Sequence, residues 1–203
     1  MYAVARTVLA DRPGAPPLTD APTVEQQQAA ITAALEIAYA ERPARDGVVD
    51  VARATLRETT DFVRARGFLT LPDEPLEIIV MPEFQRGVTV AYCDSPGPLD
   101  KGQRTFYAVA PLPDSWTDAQ VGSFLREYNS RSVANLTIHE AMPGHYLQIA
   151  HANRYPSVLR AMLGSGPFIE GWAVYAERVM QEQGFRAGDP LMRLVQLKWY
   201  LRT

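Results

Sequence analysis

Apolar positions along this chain follow two rhythms. After Thr23, a residue suited to cap a helix, Ile31, Leu35, Ala38 and Tyr39 recur at steps of three and four, the spacing of one helix face. Pro43 and Gly47 interrupt it. A second helix, capped by Asp46 or Asp50, carries Val51, Ala54, Leu56, Phe62 and Val63 and stops at Gly67. The rhythm then changes. Residues 76–81 (LEIIVM), 88–93 (VTVAYC) and 104–110 (RTFYAVA) are short, rich in β-branched and aromatic residues, and separated by Pro, Gly and Asp. They predict three strands of a small antiparallel sheet. From Thr117 the helical spacing returns, with breaks expected at Pro143-Gly144, Pro156, 164–167 and 184–190. Residues 191–203 predict a last helix with no glycine, asparagine or proline to end it. The predicted fold class is α+β, mainly α-helical.

Residues 11–22 hold four prolines and one glycine, so residues 1–22 are expected to form an extended N-terminal connector ahead of one domain over 23–203. Arg6 lies within the opening apolar stretch, which matches a secretory leader poorly. A cytoplasmic location is therefore the default, and a secreted or periplasmic one follows if the N-terminus is truncated. No apolar run is long enough to span a bilayer.

Hydrophobic residues make up 47% and charged residues 21%, enough for an ordinary core, which excludes disorder as a description of the whole. Lys+Arg 20 against Asp+Glu 23 gives a net charge of −3, which argues against nucleic acid as a partner. The single cysteine, Cys93, excludes an internal disulfide and a cysteine-based zinc knuckle.

The three histidines of the chain, His139, His145 and His151, fall within thirteen residues, in and just after the segment Thr137-Ile138-His139-Glu140-Ala141-Met142-Pro143-Gly144-His145-Tyr146-Leu147-Gln148. Two histidines with a glutamate after the first form the core of zinc hydrolase sites. At the usual four-residue spacing both rings share a helix face. Here the gap is six, which on a regular helix leaves the rings about 120° apart. A shared ion therefore requires a distorted turn. Pro143 removes a backbone donor and Gly144 permits a tight conformation, so the distortion is expected there.

A third ligand is needed. In Phe168-Ile169-Glu170-Gly171-Trp172-Ala173-Val174-Tyr175-Ala176-Glu177, Glu170 and Glu177 lie seven apart on nearly one face of a helix whose apolar neighbours predict burial. A buried carboxylate needs a metal, a cation or donors, which makes Glu170 the candidate ligand and Glu177 a candidate to orient a ligand histidine. Tyr146 and Tyr175 are candidate donors to a developing oxyanion. His151, and the charged run Arg126, Glu127 and Arg131, read as solvated surface. Ser165 lacks the spacing and preceding strand of a hydrolase nucleophile.

The stretch SFLREYNSRSVANLTIHEAMPGHYLQ followed by FIEGWAVYAE resembles the bacterial family called domain of unknown function 885. That family is similar to the gluzincin zinc metallopeptidases. The resemblance extends back through RTFYAVAPLPDSW and covers over half of the chain. It implies a zincin-like architecture, Zn2+ held by His139, His145 and Glu170, Glu140 as general base, and a peptide substrate. Many members have a second histidine where this chain has Tyr146. Members are usually longer at both ends, so the chain is expected to be incomplete at the C-terminus. An apolar patch should then be left exposed at the last helix, prone to self-association or covered by the missing remainder. A metal-binding module without turnover, or a helical interaction module without metal, are the alternatives.

Overall fold

The computed structural model describes residues 1–87, 89–100 and 102–201. Nine α-helices, one short 3-10 helix (Glu83–Gln85) and three strands are found among them, and the chain divides into two compact units. One is Met1–Arg45 with Ser115–Ser132 and Arg186–Thr203; the other is Asp46–Asp114 with Val133–Phe185. Sequence spacing had pointed to one domain after a connector.

In the first unit, α1 (Tyr2–Leu9) replaces the first half of the expected extended connector. Its Ala5, Val8 and Leu9 are buried in a core shared with α2 (Val24–Ala40) and α9 (Pro190–Trp199). Ala30, Ala34 and Ala38 recur every four residues on α2 and are fully buried, so a row of small side chains faces this core. Thr23 caps α2, and Gln26 returns the bond to the Thr23 N–H. Thr117 and Gln120 repeat the device on α4 (Asp118–Glu127). Much of the apolar load of α9 lies inside this core, with Leu191, Leu194 and Val195 buried, while Leu201 just beyond it is exposed. Positions 202 and 203 of that expected helix lie outside the described residues.

A break that the spacing did not predict separates α4 from α5 (Ser130–Glu140). Buried Asn129 accepts from the N–H groups of Arg131 and Ser132 and so starts the new helix. Arg131 is not on a solvated face. Its guanidinium is buried and donates to Asp189 (2.7 Å) and Glu41 (2.9 Å), tying three segments of the unit together.

The second unit holds α3 (Val48–Arg66), the sheet, most of α5, α6 (His145–Asn153), α7 (Val158–Met162) and α8 (Gly166–Glu182). Gly47, not Asp46 or Asp50, occupies the cap position of α3, and Gly67 ends it at φ 65° as its sequence predicts. The strands are β1 (Leu76–Val80), β2 (Ala91–Asp94) and β3 (Thr105–Val109). Their order is β1-β3-β2, with β1 parallel and β2 antiparallel to β3. The sheet is therefore mixed, not antiparallel. Strand β3 lies between β1 and β2, so these two consecutive strands do not pair with each other. Val88, in the expected second strand, lies outside the described residues.

One buried contact joins the sheet to α5. Thr137 donates its hydroxyl proton to the Val133 carbonyl, so Tyr107 of β3 must be the donor in the 3.2 Å bond between the two hydroxyls. Tyr107 is fully buried, which pushes its phenol pKa up.

Candidate metal centre

Helix α5 ends in an irregular turn. Ala141 and Met142 both donate to the Thr137 carbonyl, at 3.0 and 3.2 Å, and Pro143 has no proton to give. Gly144 then reaches back to the Ile138 carbonyl at 2.9 Å, six residues away, and α6 begins at His145. The Met142–Pro143 peptide is cis. The Pro143 carbonyl accepts from the indole N–H of Trp172 on α8 at 3.0 Å. This turn removes the angular mismatch of the six-residue gap: the rings of His139 and His145 lie 4.8 Å apart, edge to face.

Helix α8 supplies the other side of the cluster. Ser165 caps it through the Phe168 N–H and Pro167 sits in its first turn, which gives Ser165 a structural role. Oε2 of Glu170 lies 3.6 Å from Nε2 of His139 and 3.7 Å from Nε2 of His145. Two turns on, Oε1 of Glu177 takes the other ring nitrogen of His139, Nδ1, at 2.8 Å. Oε2 of Glu177 accepts from the Asn135 amide at 2.8 Å. The burial expected for Glu170 belongs to Glu177 instead: its side chain is 3% exposed, that of Glu170 68%. Helix α8 is apolar on several faces, which hid from sequence which side faces the core.

His139, Glu140 and His145 also form a tight group, with one donor atom from each within 4.8 Å of the others. Burial pulls the His139 pKa down, but the hydrogen bond and charge of Glu177, with Glu140 and Glu170, leave it raised overall. Burial and the neighbouring His139 lower that of His145, against Glu170. Nδ1 of His145 is buried with no hydrogen-bond partner. Burial raises Glu140 to about 7; Glu170 adds to this, while His139 and a hydrogen bond from the Cys93 main chain oppose it. Cys93 lies on β2, an edge strand of the sheet, so that edge borders the cluster.

Of the remaining predicted residues, Tyr146 is buried and its hydroxyl is committed to the Glu74 carbonyl. Tyr175 is half exposed beside Trp172, ring centroids 6.0 Å apart. Among the described residues neither hydrogen-bonds to His139, Glu140, His145 or Glu170. His151 is exposed and pairs through Nε2 with the Thr70 carbonyl. Sequence reasoning missed Asn135 and the Cys93 main chain. Asn135 stands four residues before His139 among apolar neighbours, a polar side chain on the same helix face, and that spacing was the available signal.

No curated protein matches the chain. Among solved structures, a candidate lipoprotein of unknown function from Shewanella oneidensis superposes with a TM-score of 0.81 at 33% identity, over 99% of this chain and 34% of that one. A candidate lipoprotein from Colwellia psychrerythraea superposes with a TM-score of 0.70 at 24% identity, over 98% of this chain and 32% of that one, and shows likeness of fold. The chain thus spans about a third of the length of these structures. A family model matches it over residues 1–203, and the chain belongs to that family, the bacterial proteins of unknown function grouped as DUF885.

Proposed function

We propose that His139, His145 and Glu170 hold a zinc ion and that the chain carries the metal site of a peptide-bond hydrolase. The observation that carries this reading is the convergence of two imidazole Nε2 atoms on one carboxylate oxygen, at 3.6 and 3.7 Å. Ligands of a tetrahedral zinc ion stand about 3.4 Å apart, so these two carboxylate–imidazole separations need to close by only a few tenths of an ångström. The donor chemistry also fits: two nitrogens and one oxygen leave a fourth position, and the exposure of Glu170 leaves a solvent-facing side. Glu177 on Nδ1 of His139 supports the same reading, because a carboxylate there keeps the proton on Nδ1 and the Nε2 lone pair free.

When bound, zinc supplies Lewis-acid polarisation of a carbonyl and acidifies water. The chain's own part falls to Glu140, whose buried carboxylate takes the proton from the attacking water and passes it to the leaving amine. The β2 edge beside Glu140 offers main-chain groups with which an extended peptide could pair, which favours a peptide over other amides. A secreted or periplasmic location fits the lipoprotein descriptions of the structural neighbours. No described helix is long and apolar enough to cross a membrane.

An interaction module is the second reading, and the exposed apolar side chains around α7 favour it: Tyr155, Val158, Leu159, Met162 and Leu163. Metal analysis of protein purified without added zinc separates the two. The hydrolase reading expects about one zinc per chain, lost in His139→Ala. It also expects Glu140→Gln to keep the zinc and lose turnover by orders of magnitude. A zinc-free parent, or a fully active Glu140→Gln variant, would overturn it.

A further inference from the structure

We infer that Asn135 is a positioning residue of this centre, acting through Glu177 to fix which nitrogen His139 presents to the metal; this rests on the zinc reading above. Asn135 and His139 lie one turn apart on α5, so their side chains project on the same side of the helix. The carboxylate of Glu177 spans that turn, one oxygen on each residue, both at 2.8 Å. A carboxylate held at one oxygen can swing about that bond. Held at both, it has one orientation, and its second oxygen can only meet Nδ1 of His139.

The residue type matters as much as the place. An asparagine amide donates without adding charge, so Glu177 keeps its full negative charge for the imidazole. An arginine or lysine there would neutralise the carboxylate and weaken its hold on the Nδ1 proton. Ordinary core packing does not account for this asparagine. It is fully buried, and its Oδ1 has no hydrogen-bond partner, a cost that an apolar side chain would avoid. What the amide contributes in return is the bond to Glu177. With Asn135, the centre has three tiers across two helices: the metal-facing Nε2, the imidazole held by Glu177, and Glu177 held by Asn135.

The test reads the His139 tautomer in metal-free protein by nitrogen-15 NMR of labelled histidine, and zinc affinity separately by competition with a chelator. In the parent, His139 carries its proton on Nδ1. Asn135→Ala should give a mixture of tautomers and about tenfold or more weaker zinc binding. Asn135→Ser, whose hydroxyl ends short of the Glu177 carboxylate, covers the case in which the alanine variant does not fold. The exchange Asn135→Asp with Glu177→Gln reverses the donor and acceptor between these two residues while leaving an amide oxygen for Nδ1–H, and should restore the single tautomer. A single tautomer and parental zinc affinity in folded Asn135→Ala or Asn135→Ser would overturn the inference. The two readouts fail separately: a parent that takes up no zinc sinks the metal reading, while a tautomer that moves with Asn135 still supports the positioning role.

Discussion

A β-carbon at Gly144 would stand 1.7 Å from the main-chain oxygen of His139. It would also lie 2.4 Å from the carbonyl oxygen of Ile138, which accepts the Gly144 N–H. The backbone of the irregular turn thus passes over the end of α5 with no room for a side chain. Because the obstructing atoms are backbone, they cannot rotate away. Gly144→Ala should destabilise the protein by about 3 kcal/mol or more, measured by denaturant unfolding, and should lose the proposed zinc site even where the variant folds. A variant with parental stability and zinc content would show that the turn is not needed.

The buried guanidinium of Arg131 carries a second prediction. Its partners differ in exposure: the side chain of Glu41 is 59% exposed, that of Asp189 27%. Arg131→Met strips both carboxylates of their cation and removes donors from a buried network, and should cost about 2–3 kcal/mol. Glu41→Ala removes a partner that water can replace, and should cost less than about 1 kcal/mol. Equal losses in the two variants would contradict this division.

Cys93 provides a third. Burial pushes its thiol up to about 12; the Ser95 hydroxyl opposes this, and the charges of Glu140 and Asp94 add to it. Raising the pKa of an acid removes its anion at neutral pH, so the reactive thiolate should be scarce until the solution is strongly alkaline. At pH 8 the native protein should react with a thiol reagent roughly a thousandfold more slowly than the unfolded chain. Comparable rates would place the thiol in open solvent.

Local chemistry was readable wherever it was self-contained. Thr23 and Thr117 announce helix starts because the cap and its partner, Gln26 or Gln120, lie three residues apart. The irregular turn was readable from Pro143 and Gly144 together with the six-residue gap, which must be distorted for both histidines to face one site. Features set by distant partners were not readable. The direction of β1 in the sheet is set by β3, which follows it in the sequence only after β2. Arg131 looks like a surface residue until Glu41 and Asp189 are brought to it from opposite ends of the chain. The assignment of burial to Glu170 failed because apolar residues surround both glutamates in sequence, while only Ala173, Ala176, Glu177 and Met180 face inward. Asn129, by contrast, was a missed local sign: an asparagine followed by serine, within a long helical pattern, marks a new helix start.

Glu170 and Glu177 ride on a single uninterrupted helix, and this makes the centre intolerant of length change. One residue inserted between them would turn one carboxylate through about 100° relative to the other, taking it out of reach of His139. The segment between α6 and α8 has no such constraint, because its side chains are not part of the cluster. Insertions and deletions among relatives should therefore collect in residues 154–165 and stay out of 170–177, so a relative whose two glutamates are no longer seven apart can be recognised from its genome sequence as one that has given up this centre.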